Sequence, residues 1–211
     1  MLASYSSSTI WAIGAAVLGA IVLAIVVLAG NFYLKSDNPT VTVTVGSGVA
    51  SIGGPFTLID HTGRTVTDKN YSGRWMLVYF GYTSCPDVCP TSLSVMAGAM
   101  DMLDPEQAEK IVPIMISTDP TRDTPELLAE YVTNFHPRLI GLTGSVEQAA
   151  LAAKTYRVYF AKSGGSEAGD DYLMDHSSIV YLLDPKGRFR LHFSGAQIDA
   201  ERIVERLRQL L

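Results

Sequence analysis

An α/β domain, with a mixed central sheet between helices and one apolar helix ahead of it, is what this sequence predicts. Three observations carry that expectation. Two segments, "WMLVYF" (Trp75 to Phe80) and "KIVPIMIS" (Lys110 to Ser117), are apolar at nearly every position, as central strands covered on both faces are. Stretches with apolar residues at helical spacing alternate with such strands, a pattern that places helices against a sheet. At the front, "IWAIGAAVLGAIVLAIVVLAG" (Ile10 to Gly30) is apolar over a length that crosses a bilayer as a helix, and Lys35 is the first charged residue.

At 211 residues the chain holds one domain of ordinary size plus that extra piece. The predicted division is a short tail over 1–9, a transmembrane anchor over 10–30, a linker over 31–53 and the domain over 54–211. A cleaved signal peptide would show a basic start and a shorter apolar core, and neither is present. The small residues of "VLAG" (Val27 to Gly30) offer a peptidase a site, but an uncleaved anchor is the expectation. No Lys or Arg precedes the helix, so the charge rule for orientation has little to count. Nor is there room for an Arg-rich transit peptide ahead of residue 10. The expectation is a single-pass protein of a bacterial inner membrane, its domain facing the periplasm and the bilayer its first partner. The linker is rich in Gly, Ser, Thr and Val, with "TVTVTV" as a short strand at most. With 16 basic and 21 acidic residues the net charge is −5, and no basic stripe interleaves with aromatics, which excludes nucleic acid as a partner.

Within the domain, "FTLID" and "TVT" joined by "HTGR" read as a hairpin with Gly63 at the turn. "WMLVYF" is the first central strand, "TSLSVMAGAMDML" a helix and "KIVPIMIS" the second central strand. "TPELLAEYVTNF" starts with a Thr124 cap and Pro125 in the first turn. "RLIGLTG" is a short strand and "SVEQAALAAKTY" a helix capped by Ser145. "RVYFAK", "SSIVYLLD" and "RFRLHF" are strands, the last two joined by "DPKG", and "DAERIVERLRQLL" closes the chain as an amphipathic helix. A thioredoxin-like layout is the simplest arrangement of these elements.

The only two cysteines, Cys85 and Cys89, stand four apart in "FGYTSCPDVCP". The layout sets them beyond the C-terminal end of a central strand, where open sheets bind ligands, and near a helix start, which favours thiolates. If both share one helical turn, the step of four sets both sulfurs on one face. Pro86 and Pro90 stiffen the segment, so the thiols should be close, ordered and easily deprotonated. Three uses compete: a structural disulfide, which here closes a loop too small to stabilise much; a catalytic dithiol, which ordinarily has a two-residue gap; and a soft metal site for copper(I) or zinc, which needs more ligands than two. Of four histidines, His61 sits in a turn expected to be exposed, His136 ends a helix, and His192 alternates with Leu191 and Phe193 toward solvent beside Arg190. His176, in "DYLMDHSSIVYLLDP", falls where a Gly- and Asp-rich loop meets a strand, with Asp175 beside it as a candidate to orient the ring. On spacing alone, a lone histidine there is more often structural than a ligand. Met96, Met100 and Met102, at helical spacing, read as core packing rather than ligands.

"GYTSCPDVCPTSL", "ISTDPTRDTPELLAEYVTNFHP", "LIGLTGS" and "DYLMDHSSIVYLLDPKGRF" occur in an order that resembles the Sco/SenC family, over roughly Gly54 to Leu211. The family consists of membrane-anchored copper chaperones for cytochrome c oxidase assembly. The resemblance implies a thioredoxin-like fold and copper, as Cu(I) or Cu(II), on Cys85, Cys89 and His176, with Asp87 in a secondary role. It also implies a metallochaperone rather than an enzyme. Its partners would be the copper-bearing oxidase subunit and other copper chaperones, and its task delivery to the copper A centre. The alternative is a thiol-disulfide oxidoreductase acting on the cysteines of that centre through the redox-active Cys85–Cys89 pair. A peroxidase is disfavoured, because residues Tyr82 and Pro86 stand where a peroxiredoxin-like segment expects Thr.

Overall fold

The computed structural model describes residues 52–163, 172–194 and 198–211, together with Ala20, Leu23, Ala24 and Val26. Those four are helical and exposed; the rest of the anchor over 10–30, the tail, and the linker as far as Ser51 lie outside the described residues. Among the described residues no helix is long and apolar enough to cross a membrane. Among the described residues of the domain, Ile52 lies against the core and the Gly53 N–H donates to Thr155 O at 3.0 Å.

The strands are β1 (Thr57–Asp60), β2 (Thr65–Thr67), β3 (Trp75–Gly81), β4 (Ile111–Ser117), β5 (Ile140–Thr143), β6 (Phe160–Ser163), β7 (Leu173–His176), β8 (Ile179–Leu183) and β9 (Phe189–Ser194). The helices are α1 (Val88–Asp101), α2 (Pro105–Glu109), α3 (Pro125–Thr133), α4 (Val146–Tyr156) and α5 (Ala200–Leu210). Seven strands form one mixed sheet in the order β2-β1-β5-β4-β3-β8-β9. β3, β4 and β5 run parallel at its centre, and the flanking pairs are antiparallel. β6 and β7 stand apart as an antiparallel pair. This is the predicted α/β mixed sheet between helices.

The all-apolar strands explain the two-sided core. Successive side chains point to opposite faces of a strand. Leu77 and Tyr79 therefore pack with α1, α3 and α5, while Met76, Val78 and Phe80 pack with α4 on the other side. Pro113 inside β4 is tolerated because pairing with β5 begins only at Ile114↔Ile140, so the position lacking an N–H lies beyond β5. The caps expected at Thr124 and Ser145 are present, each side-chain oxygen accepting from the N–H three residues on.

Two turns share one design. Asp60-His61-Thr62-Gly63-Arg64 and Asp184-Pro185-Lys186-Gly187-Arg188 each put Gly at positive φ (83° and 72°), which an L side chain resists. In each turn a buried Asp accepts the Arg N–H and pairs with its guanidinium. Three features escaped the sequence reading. α2 is one short helix, boxed by Asp104 and Gln107; β7 is a strand between the Gly- and Asp-rich loop and β8; and α1 begins three residues before Thr91, so that Cys89 and Pro90 lie in its first turn.

Candidate metal centre

β3 ends at Gly81, and Cys85 follows in a turn whose Cys85 N–H donates to Tyr82 O at 3.3 Å. Cys89 is the second residue of α1. The thiols therefore meet across a turn that enters the helix, not along one helical face as the four-residue step suggested. Cys89 is fully buried and Cys85 is 9 % exposed. The third group comes from elsewhere in the chain: β7 ends at His176, and its Nε2 lies 3.2 Å from Cys89 Sγ. The donor atoms of Cys85, Cys89 and His176 all fall within 4.8 Å of one another. A cation bonded to sulfur and nitrogen at about 2–2.3 Å sets its ligands roughly 3.5–4 Å apart, so the cluster needs little rearrangement to hold one. No fourth Cys, His, Asp or Glu joins the group among the described residues. A closed zinc site wants four ligands, whereas two thiolates and an imidazole suit a low-coordinate soft metal.

Each donor is held by its surroundings. His176 Nδ1 lies 3.3 Å from Ser177 O, and an N–H donated there leaves the Nε2 lone pair aimed at the thiols. The expected partner, Asp175, is not what fixes the ring: neighbours on a strand point to opposite faces, and Asp175 is exposed where Met174 is buried. Tyr79 and Tyr82 wall the imidazole edge-on at 6.0 and 5.8 Å. Burial pushes the His176 pKa down, toward the neutral form that binds metals. Gly81 keeps room for sulfur, since a Cβ there would sit 2.9 Å from Cys89 Sγ and 2.7 Å from the Tyr79 ring.

The expectation of an easily deprotonated pair fails at Cys89. Burial pushes its thiol far up, and the backbone at Tyr82 only partly offsets the rise. A metal cation is what offsets that penalty, because a coordinating thiol gives up its proton.

A polar scaffold behind the pair went unread in the sequence. Asp123, buried after β4, accepts from Thr83 N (3.2 Å), Thr83 Oγ1 (2.6 Å) and Ser117 Oγ (2.6 Å). Burial raises its pKa, with the Asp119 charge adding to the rise. Asp119 accepts from Tyr172 O–H at 2.8 Å and pairs with Arg122. Arg122 lies over Tyr172 at 3.8 Å and over Tyr82 at 5.8 Å, and Lys162 covers Tyr172 at 3.9 Å. The network thus clamps the β6–β7 pair, which carries His176, to the turn that carries the cysteines. The available signal was the density of Asp, Thr and Arg in "STDPTRDT", directly after a buried strand.

The remaining candidates lie elsewhere. Asp87 is exposed at the start of α1 and outside the cluster. His61 is not an exposed turn residue; it is half-buried, and its Nδ1 accepts from Gly141 N–H at 3.1 Å, tying the first turn to β5. His136 Nδ1 accepts from Arg138 N–H, and His192 is exposed beside Phe189. Met96 and Met100 are core residues, whereas Met102 is exposed where α1 ends.

Residues 45–211 match the SCO1/SenC family. The chain belongs to that family. It is 45% identical over 159 residues to the mitochondrial SCO1 homolog 1 of Arabidopsis thaliana, covering 75% of this chain and 47% of that one. It is 39% identical over 178 residues to an SCO2-like protein of Rickettsia prowazekii, covering 84% and 80%. The chain thus spans about half the length of the plant relative. The structure of Bradyrhizobium japonicum ScoI with copper bound superposes with a TM-score of 0.69 at 41% identity, covering 76% of this chain and 99% of that one. SCO1/SenC membership and this likeness establish the thioredoxin-like fold expected from the sequence.

Proposed function

We propose that this SCO1/SenC protein is a membrane-anchored metallochaperone that carries copper on Cys85, Cys89 and His176 and helps assemble the copper A centre of cytochrome c oxidase. The convergence of two thiols and one imidazole within 4.8 Å is the observation that carries the reading, and the copper-bound state of a similar protein supports the choice of metal. Copper is the cargo here. Cys85 and Cys89 bind it as thiolates, each giving its proton to solvent, and His176 presents Nε2 while Ser177 O holds Nδ1–H. Cys85, the slightly more accessible of the two buried thiols, is the side from which a recipient site reaches the ion, since Cys89 is sealed beneath it. The anchor over 10–30, the bacterial inner membrane, the periplasmic face, and contacts with the copper-bearing oxidase subunit and other copper chaperones belong to the same reading.

Thiol-disulfide exchange is the weaker alternative. An attacking thiol needs thiolate character and access, and Cys89 has its pKa raised by burial and no exposure.

Copper titration of the reduced full-length protein in detergent, beside His176→Ala, tests the proposal. One copper per chain is expected, with affinity falling at least about a hundredfold, roughly 2.7 kcal/mol, in the variant. Equal affinity in H176A removes His176 from the site.

A further inference from the structure

Gly53, at the C-terminal end of the linker, sits in a corner of the domain where cations gather. Its N–H donates to Thr155 O at 3.0 Å, and a Cβ built on it would lie 3.6 Å from Gly187 O. Exposed Lys154 and Arg157 stand on either side of Thr155, and exposed Lys186 and Arg188 on either side of Gly187. The same turn is tied to the start of β3. Pro185 O accepts from Gly73 N–H at 2.9 Å, next to half-buried Arg74, and the exposed Lys69 accepts at its backbone O from Ser72 N–H at 3.2 Å. Against these six cations the corner sets Asp184, buried and paired with Arg188, and half-buried Asp68.

The other end of the sheet has the opposite sign. β3, β4 and β5 run parallel, so α1, α3 and α4, which follow them, all start at the end that holds the metal centre. α5 starts there too, because β9 runs in the same sense as β3. The caps and first turns of these helices carry Asp87, Glu126, Glu147, Asp199 and Glu201, of which Asp199 pairs with Arg202. An anionic surface therefore attracts the corner at Gly53 and repels the end with the metal centre. That attraction acts within about a Debye length, roughly 8 Å at physiological salt. A flexible linker of about twenty residues spans about 25 Å on average. It holds the domain at a high local concentration beside the surface, so a weak attraction is enough.

We infer that this corner is a docking surface for an anionic bilayer, on which the domain rests with its metal centre turned away from the lipid. The inference rests on the membrane-anchor reading above and is independent of copper. β3 alone separates the two ends by about 20 Å. Docking in this sense leaves Cys85, Cys89 and His176 open to a partner in the aqueous phase.

The full-length protein, reconstituted in nanodiscs of phosphatidylcholine alone or mixed equally with phosphatidylglycerol, provides the test. Brief amine acylation is read at each lysine by mass spectrometry. Lys154 and Lys186 should react about threefold more slowly in the anionic discs, and the difference should vanish at about 0.5 M salt. Lys162, on the β6–β7 pair, should react alike in both lipids. The double variant Lys154→Glu with Lys186→Glu should lose the lipid dependence at Lys69 while keeping the copper stoichiometry of wild type. Equal rates in the two lipids at Lys154 and Lys186 overturn the inference, as does equal slowing at Lys162 or protection of Lys69 that survives in the double variant. A protein that does not stay on the neutral discs fails the anchor reading, and the inference falls with it. Retention on both discs with equal rates fails the inference alone.

Discussion

The two halves of the candidate site are held in different ways. Cys85 and Cys89 lie at the end of β3, the most paired strand of the main sheet, and at the start of α1. His176 ends β7, which pairs only with β6 in a separate two-stranded unit. Two strands alone are marginal in water. The imidazole is therefore brought to the thiols by side chains: Tyr172 on Asp119, Arg122 between Tyr172 and Tyr82, and Lys162 on the far side of Tyr172. The fold supplies a sulfur half on the main sheet and attaches a nitrogen half to it through this polar clamp, through Tyr172 and Met174 packed into the same core as the thiols, and through the short link from His176 to β8. Damage to the sulfur half should therefore show in stability and metal binding together, and damage to the clamp mainly in metal binding.

The largest expected effect is at Asp123, which serves both halves. Asp123→Ala strands the Thr83 and Ser117 donors in a buried place, and each unsatisfied group costs about 1–3 kcal/mol. Urea unfolding should show a loss of about 3 kcal/mol, and copper affinity should fall with it. Asp123→Asn keeps one acceptor oxygen and should recover most of both. Next comes Gly81→Ala, which forces a methyl group against Cys89 Sγ and the Tyr79 ring. Overpacking of this kind costs about 1–3 kcal/mol. It tests the sulfur half alone: copper affinity should drop, and the contacts of the β6–β7 pair should be unchanged by hydrogen exchange.

The same division decided what the sequence disclosed. The two central strands were visible as segments apolar at nearly every position, Trp75–Phe80 and Lys110–Ser117, because burial on both faces leaves that mark locally. The cysteine pair was visible as a four-residue spacing. Its place where a loop meets a strand set His176 apart from His61, His136 and His192, but nothing local made it a ligand, since its approach to Cys89 spans 87 residues and depends on a pair of strands, one of them unread. Resemblance to the Sco/SenC family singled it out where periodicity did not. The thiolate expectation erred for a related reason: a helix start is legible in sequence, but the burial of Cys89 beneath Gly81, Tyr79 and His176 is a tertiary fact. Asp119 and Asp123 carry no local mark of their role, because nothing in sequence says which carboxylates are buried.

The clamp is tested by Tyr172→Phe. The ring stays under Arg122 and Lys162, and only the O–H donated to Asp119 is lost. A hydrogen bond to a charged group contributes about 1.5–3 kcal/mol. Part of that should return here, because Asp119 keeps its pairing with Arg122 and its backbone contact to Ser117. A stability loss of about 1 kcal/mol is expected, with copper affinity several-fold weaker and faster exchange in the β6–β7 backbone. If exchange quickens while affinity holds, the nitrogen half does not need the clamp, and the two halves are less distinct than their topology implies.

The smallest effect should come from the turn at Asp184, which shares the buried-acid chemistry of Asp123 but touches neither half. Asp184 accepts from Lys186 N–H, Arg188 N–H and the Arg188 guanidinium. Burial works to raise its pKa, but the Arg188 hydrogen bonds and charge outweigh it, and the net direction is down. A carboxyl whose folded pKa lies below its unfolded one contributes stability that is present above the unfolded value, about 4, and lost as pH falls through the folded value. Asp184→Asn keeps the turn's acceptor oxygen and drops an ion pair with a largely exposed arginine, worth under about 1 kcal/mol at neutral pH. The variant should therefore be slightly weaker than wild type at neutral pH and converge with it below pH about 4. Urea midpoints across that range measure the convergence, and copper affinity at neutral pH should be unaltered. A copper effect at this turn would show that the sulfur half senses strain from across the sheet and is not the self-contained unit its geometry describes.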